Sequence, residues 1–196
     1  MENTCFAILS GGKNSRIGCN KAFLEINGEP IINNILRIAN TFPQKMIITN
    51  EFKAYEHFGL DMFRDFHQNR GPIGGIHSAL IHSNFDNVFI ISCDMPFITQ
   101  KTIQIILDNH RNSLISLPIV GDKIHFVCGV YSKKIFKRLD DYLLKGMTLP
   151  SEKNRYFALY QLEKMFEINL IEINKFMIDE QEFININTME DCQRIR

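Results

Sequence analysis

Two rhythms alternate along the chain: short runs of consecutive apolar residues, and stretches whose apolar positions recur every three or four residues. Residues 4–9, built on Phe6-Ala-Ile-Leu9, predict a buried strand, and Ile32, Ile35, Leu36 and Ala39 form the stripe of a helix over 31–39. Met46–Thr49 predicts a second short strand and Leu60–Phe63 a third. Ile73, Ile76 and Leu80 mark a helix opening just after Gly71-Pro72, since proline suits a first helical turn. Val88–Ser92 is the clearest buried strand, with a helix carrying Ile103, Ile106 and Leu107 after it. Ser113–Pro118 and Phe126–Tyr131 predict two more strands, and Ser132 a cap for a helix carrying Ile135, Phe136, Leu139 and Leu143. Residues 145–180 are the least readable. Near the end, Phe183–Asn187 alternates apolar and polar, and Thr188-Met-Glu-Asp191 resembles a capping box before a last helix. Alternating strands and helices predict an α/β fold, with a mostly parallel, doubly wound sheet and helices on both faces.

Ligands of open α/β sheets bind outside the carboxyl ends of the strands, and here the polar clusters gather at those ends. The first strand breaks into Ser10-Gly-Gly-Lys-Asn-Ser-Arg-Ile-Gly18, with Lys21 beyond. Gly11 and Gly12 let the backbone turn sharply and present N–H groups to an anion, and Arg16 and Lys21 add cations suited to phosphate. The alternative is a tight turn with solvated charges. The spacing fits neither a P-loop nor a dinucleotide fingerprint, and no kinase signature occurs. The second strand ends at Thr49-Asn50, and the third at Arg64-Asp65, running on to Gly71-Pro-Ile-Gly-Gly75. The Val88–Ser92 strand ends at Cys93-Asp-Met-Pro96. Asp94 suits Mg²⁺, which is commonly held by one or two carboxylates plus substrate phosphates; its alternative role is to cap the helix beginning near Thr99. Asp65 can accept two hydrogen bonds from guanine's N1–H and amine, or simply belong to a surface turn. Gly71, Gly74 and Gly75 permit close approach of a ligand or a tight helix–sheet contact.

Composition narrows the picture. The 196 residues suit one domain, and 45% hydrophobic with 22% charged residues is a globular profile. Lys plus Arg and Asp plus Glu balance at 22 each, so charge gives no sign of nucleic acid or anionic membrane, and anion binding must be local. Five scattered cysteines without C-x-x-C pairs argue against a disulfide framework or zinc ribbon and favour a reducing compartment. No signal peptide is evident and no apolar run approaches the roughly 20 residues that span a bilayer, so a cytoplasmic protein is expected. The six histidines show no metal-ligand spacing and are assigned structural or solvent roles.

Leu9-Ser-Gly-Gly-Lys-Asn-Ser-Arg-Ile-Gly18 with Lys21-Ala22, Asp65, Gly71-Pro-Ile-Gly-Gly-Ile76, Cys93-Asp-Met-Pro-Phe97 and Phe183-Ile-Asn-Ile-Asn-Thr188 together resemble the molybdenum cofactor guanylyltransferases, in the family's order and over almost the whole length. The resemblance implies a Rossmann-like fold of the nucleotide-diphospho-sugar transferase type. It also implies transfer of GMP from MgGTP to the phosphate of molybdopterin (Mo-molybdopterin), with release of pyrophosphate. It places GTP on Leu9, Ser10, Gly11, Lys21, Asp65 and Asp94, with Mg²⁺ on Asp94, and on a polar residue after the second strand, Asn50 in preference to Thr49. The residue types add Gly12 and Gly71 to the GTP contacts and assign catalysis by charge neutralisation to Arg16, Lys21 and Asp94. Asn185 and Asn187 match a late Asn-x-Asn that faces the pterin or the metal. Implied partners beyond the substrates are molybdopterin-delivering proteins and chaperones of the target molybdoenzymes. The sequence departs from the family at Ser10, usually alanine, at Asn20, commonly aspartate, and at His125-Phe-Val-Cys128, where a His-Pro segment is frequent. The competing readings are a cytidylyltransferase on the same pterin, a nucleotidyltransferase on another phosphorylated small molecule, and a nucleotide-binding regulator without turnover.

Overall fold

The computed structural model describes residues 1–11, 20–147, 154–186 and 191. Ten strands are described: β1 (Thr4–Ser10), β2 (Glu25–Ile26), β3 (Glu29–Pro30), β4 (Gln44–Thr49), β5 (Asp61–Phe63), β6 (Asn87–Ser92), β7 (Ile115–Val120), β8 (Lys123–Ile124), β9 (Cys128–Ser132) and β10 (Ile168–Glu172). The α-helices among these residues are α1 (Ile31–Ala39), α2 (Phe52–Tyr55), α3 (Gly71–His82), α4 (Gln100–Asp108), α5 (Phe136–Met147) and α6 (Gln161–Met165). The main sheet runs β10-β7-β9-β6-β1-β4-β5, with β8 paired to β7. β1 is parallel to both β4 and β6, and β4 to β5. β9 alone in the row is antiparallel, wedged between β6 and β7.

Strand β1 is buried along its whole length, which is why it reads as an unbroken apolar run. Its side chains alternate between two cores. Phe6 and Ile8 join Ile32 and Ile35 of α1 and Ile103 and Ile106 of α4 on one face. Cys5, Ala7 and Leu9 join Ile73 and Ile76 of α3 and Leu139 and Leu143 of α5 on the other. Burying each large apolar side chain contributes about 1.5–3 kcal/mol, so the helices are held to their faces by the same stripes that define them. The doubly wound expectation is met. The chain leaves β1 toward β4 and β5 and returns through α3 to β6 on the opposite flank, which puts the switch point of the sheet at β1 and β6.

Several elements differ from expectation. The strands expected at Ser113–Pro118 and Phe126–Tyr131 lie two residues later at their starts. In the second case Phe126 and Val127 are spent on a turn closed by the Cys128 N–H on the His125 carbonyl, 3.1 Å. The Asn27-Gly28 pair, at φ 53° and 78°, turns the short β2–β3 hairpin that apolar periodicity does not register. β10 emerges from the least readable stretch. The alternating Phe183–Asn187 segment does not become a strand over its described residues. Residues Glu180–Phe183 form a 3₁₀ turn, and the Ile186 N–H then donates to the Asp94 carbonyl at 2.9 Å. The helix expected after Thr188 falls outside the described residues apart from Asp191. The described cysteines Cys5, Cys93 and Cys128 are free thiols. No helix among the described residues is long and apolar enough to cross a membrane.

Candidate active site

Strands β1 and β6 end level with one another, Leu9 opposite Ser92, and the Cys93 N–H donates to the Leu9 carbonyl at 3.0 Å. That bond sets Ser10 and Gly11 beside Asp94. Gly11 is exposed and Ser10 buried. Asp94 is 9% exposed, and its Oδ2 lies 4.0 Å from the Lys21 ammonium. Its other oxygen, Oδ1, is buried with no hydrogen-bond partner among the described residues. Burial raises the Asp94 carboxyl above the ordinary range, against the pull of Ser92 and the Lys21 charge. A desolvated carboxylate oxygen without a donor is costly unless a cation meets it, so the residues here fit a divalent metal.

The capping alternative for Asp94 does not hold. Thr99 caps α4 with its own hydroxyl, which accepts from the Thr102 N–H at 3.2 Å, and Glu182 accepts from the Thr99 N–H at 2.9 Å. The turn between Asp94 and α4 is instead fixed by Asn34, whose amide donates to the carbonyls of Pro96 and Ile98 at 3.0 and 2.8 Å.

Lys21 opens a 3₁₀ turn, Lys21–Phe23, capped by the Asn20 side chain through the Ala22 N–H at 3.1 Å. The same Asn20 oxygen accepts from the Tyr55 hydroxyl at 3.0 Å, while the Asn20 amide nitrogen donates to Glu51 Oε2 at 2.9 Å. Tyr55, fully buried, also meets the Ser10 hydroxyl. Neither Tyr55 nor Glu51 stands out in the sequence. Both follow β4 on a single turn, and their partners lie in distant segments.

At the next strand end, Asn50 is exposed and faces Asp65, whose carboxyl burial raises above the ordinary range against the pull of the Asn50 amide. Thr49 is buried beside it, its hydroxyl accepting from the Glu51 N–H at 3.1 Å. A Cβ on Gly75 would lie 3.2 Å from Leu9 Cδ2 and 3.7 Å from Asp65 Oδ1. Gly75 therefore serves a tight helix–sheet contact that brings Leu9 and Asp65 together. Gly71 enters α3 at φ +58°, a conformation that favours glycine. The loop after Asp65 is pinned twice. The Phe66 N–H donates to Ser78 Oγ at 2.8 Å, and Asp140 Oδ1 accepts from Nε2 of His67 and of His77 at 2.8 and 3.0 Å. The His67 bond leads in holding the Asp140 carboxyl below its usual range. This His–Asp–His arrangement joins α3 to α5, and histidine spacing along the chain gives no hint of it.

The structure thus gathers Leu9, Ser10, Gly11, Lys21 and Asp94 at the β1/β6 switch point, with Asn50 and Asp65 along the same edge. Asn185 is half-buried and adjoins Ile186, which is tied to the Asp94 turn. Gly12, Arg16 and Asn187 lie outside the described residues.

Known proteins resemble this chain over most of its length. The family model described as the MobA-like NTP transferase domain matches residues 6–155. A relative from Clostridium perfringens, described as a probable molybdenum cofactor guanylyltransferase, is 29% identical over 188 residues, covering 95% of this chain and 93% of its own length. One of the same description from Aquifex aeolicus is 28% identical over 194 residues, covering 98% and 90%. Among solved structures, an Aquifex aeolicus protein superposes with TM-score 0.77 at 27% identity, covering 95% of this chain and 94% of that one. For the fold alone, molybdopterin-guanine dinucleotide biosynthesis protein A from Archaeoglobus fulgidus gives TM-score 0.78 at 23% identity, covering 97% and 95%. A sheet whose carboxyl edge assembles a lysine, a buried carboxylate and a second carboxylate, in a chain matched over most of its length, leads to one conclusion: the chain belongs to the MobA-like NTP transferase family.

Proposed function

We propose that this protein transfers GMP from MgGTP to the phosphate of molybdopterin, releasing pyrophosphate. The observation that carries the reading is the pairing of Lys21 with Asp94 at the switch point, with one Asp94 oxygen buried and lacking a donor among the described residues. A phosphate-monoester oxygen of the pterin attacks the α-phosphorus of GTP; the new P–O bond forms as the bond to the β-phosphate oxygen breaks, and pyrophosphate takes the electron pair. Two anions must meet, so the work of the protein is positioning and charge neutralisation. Arg16 and the N–H groups of Gly11 and Gly12 hold the triphosphate, and Lys21 counters charge at the α-phosphate. Asp94 holds Mg²⁺, which when bound offsets the charge of the phosphate oxygens. The nucleophile is already ionised, so no general base is required.

Asp65, steadied by Asn50, accepts the two hydrogen bonds of guanine's N1–H and amine. Leu9, Ser10 and Gly71 are assigned to the nucleoside, and Asn185 and Asn187 to the acceptor. The setting is the cytoplasm, with pterin-delivering proteins and molybdoenzyme chaperones as partners.

The test is pyrophosphate release from MgGTP, MgCTP and MgATP, each with and without molybdopterin. Release from GTP well ahead of the others, and only with the pterin, is expected. Equal use of CTP removes the guanine assignment, and indifference to molybdopterin removes the acceptor.

A further inference from the structure

The two places where the phosphate-loop sequence departs from the family pattern, Ser10 and Asn20, are joined through one buried phenol. Burial pushes the Tyr55 hydroxyl well above its ordinary pKa, so it keeps its proton. Asn20 Oδ1 can only accept, so Tyr55 donates to it, and the remaining lone pairs of the phenol are left to accept from Ser10 Oγ–H. The amide of Asn20 is oriented by the same logic, its oxygen toward Tyr55 and the Ala22 N–H, its nitrogen toward Glu51. The order is Ser10 to Tyr55 to Asn20 to Glu51, with every donor and acceptor in one direction.

We propose that Tyr55 and Asn20 are positioning residues that hold Lys21 against Asp94, and that Glu51 is the reason this chain needs an amide rather than a carboxylate at position 20. Asn20 caps the turn that begins with Lys21, so the set of that cap fixes where the lysine side chain departs. Phe23 closes the turn from behind, its ring 5.2 Å from Tyr55 and 6.2 Å from Phe58. The turn cannot slide without breaking either the Tyr55 bond or this aromatic packing. An aspartate at 20 would set two carboxylates at the 2.9 Å separation now bridged by the amide N–H. Like charges so close repel each other, and the repulsion loads the cap from which Lys21 departs. A glutamine at 51 removes the conflict, because its amide donates to the new carboxylate.

The proposal rests on the assignment of Lys21 to guanylyl transfer, and its test separates the two. Tyr55→Phe, Asn20→Asp, Glu51→Gln and the double variant Asn20→Asp with Glu51→Gln are compared with wild type in GMP transfer. In parallel, the ¹³Cε resonance of Lys21 is followed in lysine-labelled protein and identified by its loss in Lys21→Arg. A lysine displaced from the transferred phosphate costs rate on the order of 10- to 100-fold. Tyr55→Phe and Asn20→Asp are expected to lower kcat by that amount with KM for GTP within a few-fold of wild type, and to shift the Lys21 resonance. The double variant is expected to regain most of the kcat and the resonance of Glu51→Gln alone, which serves as its reference. The proposal is overturned if folded Tyr55→Phe retains wild-type kcat and resonance, or if Asn20→Asp is equally impaired with and without Glu51→Gln. Should wild type transfer no nucleotide, the functional assignment falls, and the resonance alone decides the relay by the same pattern.

Discussion

At the scale of single residues the site turns on Asp94. Thr99 and Glu182 already cap α4, so Asp94 has no structural duty there that an asparagine could not share. Asp94→Asn keeps the shape of the side chain and removes its charge. Thermal unfolding is expected to stay near wild type, since burial of this carboxylate is itself unfavourable. On the proposed assignment of Mg²⁺ to Asp94, GMP transfer is expected to fall by about two orders of magnitude or more, with a raised magnesium requirement, because the variant would lose the charge that holds the ion. A rate and magnesium profile matching wild type would remove Asp94 from the reaction. Residues of this kind were legible because a charge directly after a buried strand stands out locally. Tyr55 and Glu51 were not. Their roles come from hydrogen bonds to Ser10 and Asn20, and bonds between distant segments leave no period in the sequence.

Among the elements, β9 is the one that alternation did not orient. Apolar content reports burial and is the same for a parallel or an antiparallel strand. Direction follows instead from the hairpin-like return at Gly121-Asp122, between β7 and β8. β9 is held close to β7 at Gly129, where an added Cβ would lie 2.5 Å from the Ser116 carbonyl oxygen and 2.6 Å from Leu117 Cδ2. The first neighbour is backbone in the middle of the sheet and cannot step aside. Gly129→Ala is expected to destabilise the protein by about 1–3 kcal/mol, the usual cost of overpacking, read as a lowered urea midpoint with an unchanged m-value. An unchanged midpoint would mean that β7 and β9 separate freely at this point. Helix α1 is legible at both ends and α4 at its start because each packs one apolar stripe on the sheet, while α3, buried from Ile73 to Leu80, is legible at its start through Gly71-Pro72. The short β10 is not, since only Ile171 of its five residues is buried.

For the molecule as a whole, stability against pH depends on histidines held neutral in the interior. His110 donates or accepts at Ser116 Oγ, 2.8 Å away, and burial lowers its pKa. His125 lies against Phe183, ring centroids 4.9 Å apart, and is lowered to about 4 by burial and by Lys123. A free histidine titrates near 6.5, so between those values the unfolded chain takes up protons that the folded chain refuses. Stability contributed by His125 is complete above about pH 6.5 and is lost as pH falls toward about 4. His125→Gln is therefore expected to flatten the decline of Tm over that window relative to wild type. Parallel curves would assign the acid sensitivity to other groups. The His–Asp–His tie between α3 and α5 was equally invisible in sequence, because its members come from three separate segments and meet only once the helices have packed.

The bond from the Ile186 N–H to the Asp94 carbonyl joins main chain to main chain. It is inherited with the path of the polypeptide rather than with any particular side chain, and short of proline at 186 no substitution deletes it. Mutation can therefore explore the segment around Asn185 while the turn bearing Asp94 stays where it is. With Asn185 assigned to the acceptor as proposed, acceptor choice would be an independently variable trait, open to selection without reinvention of the nucleotide half of the site.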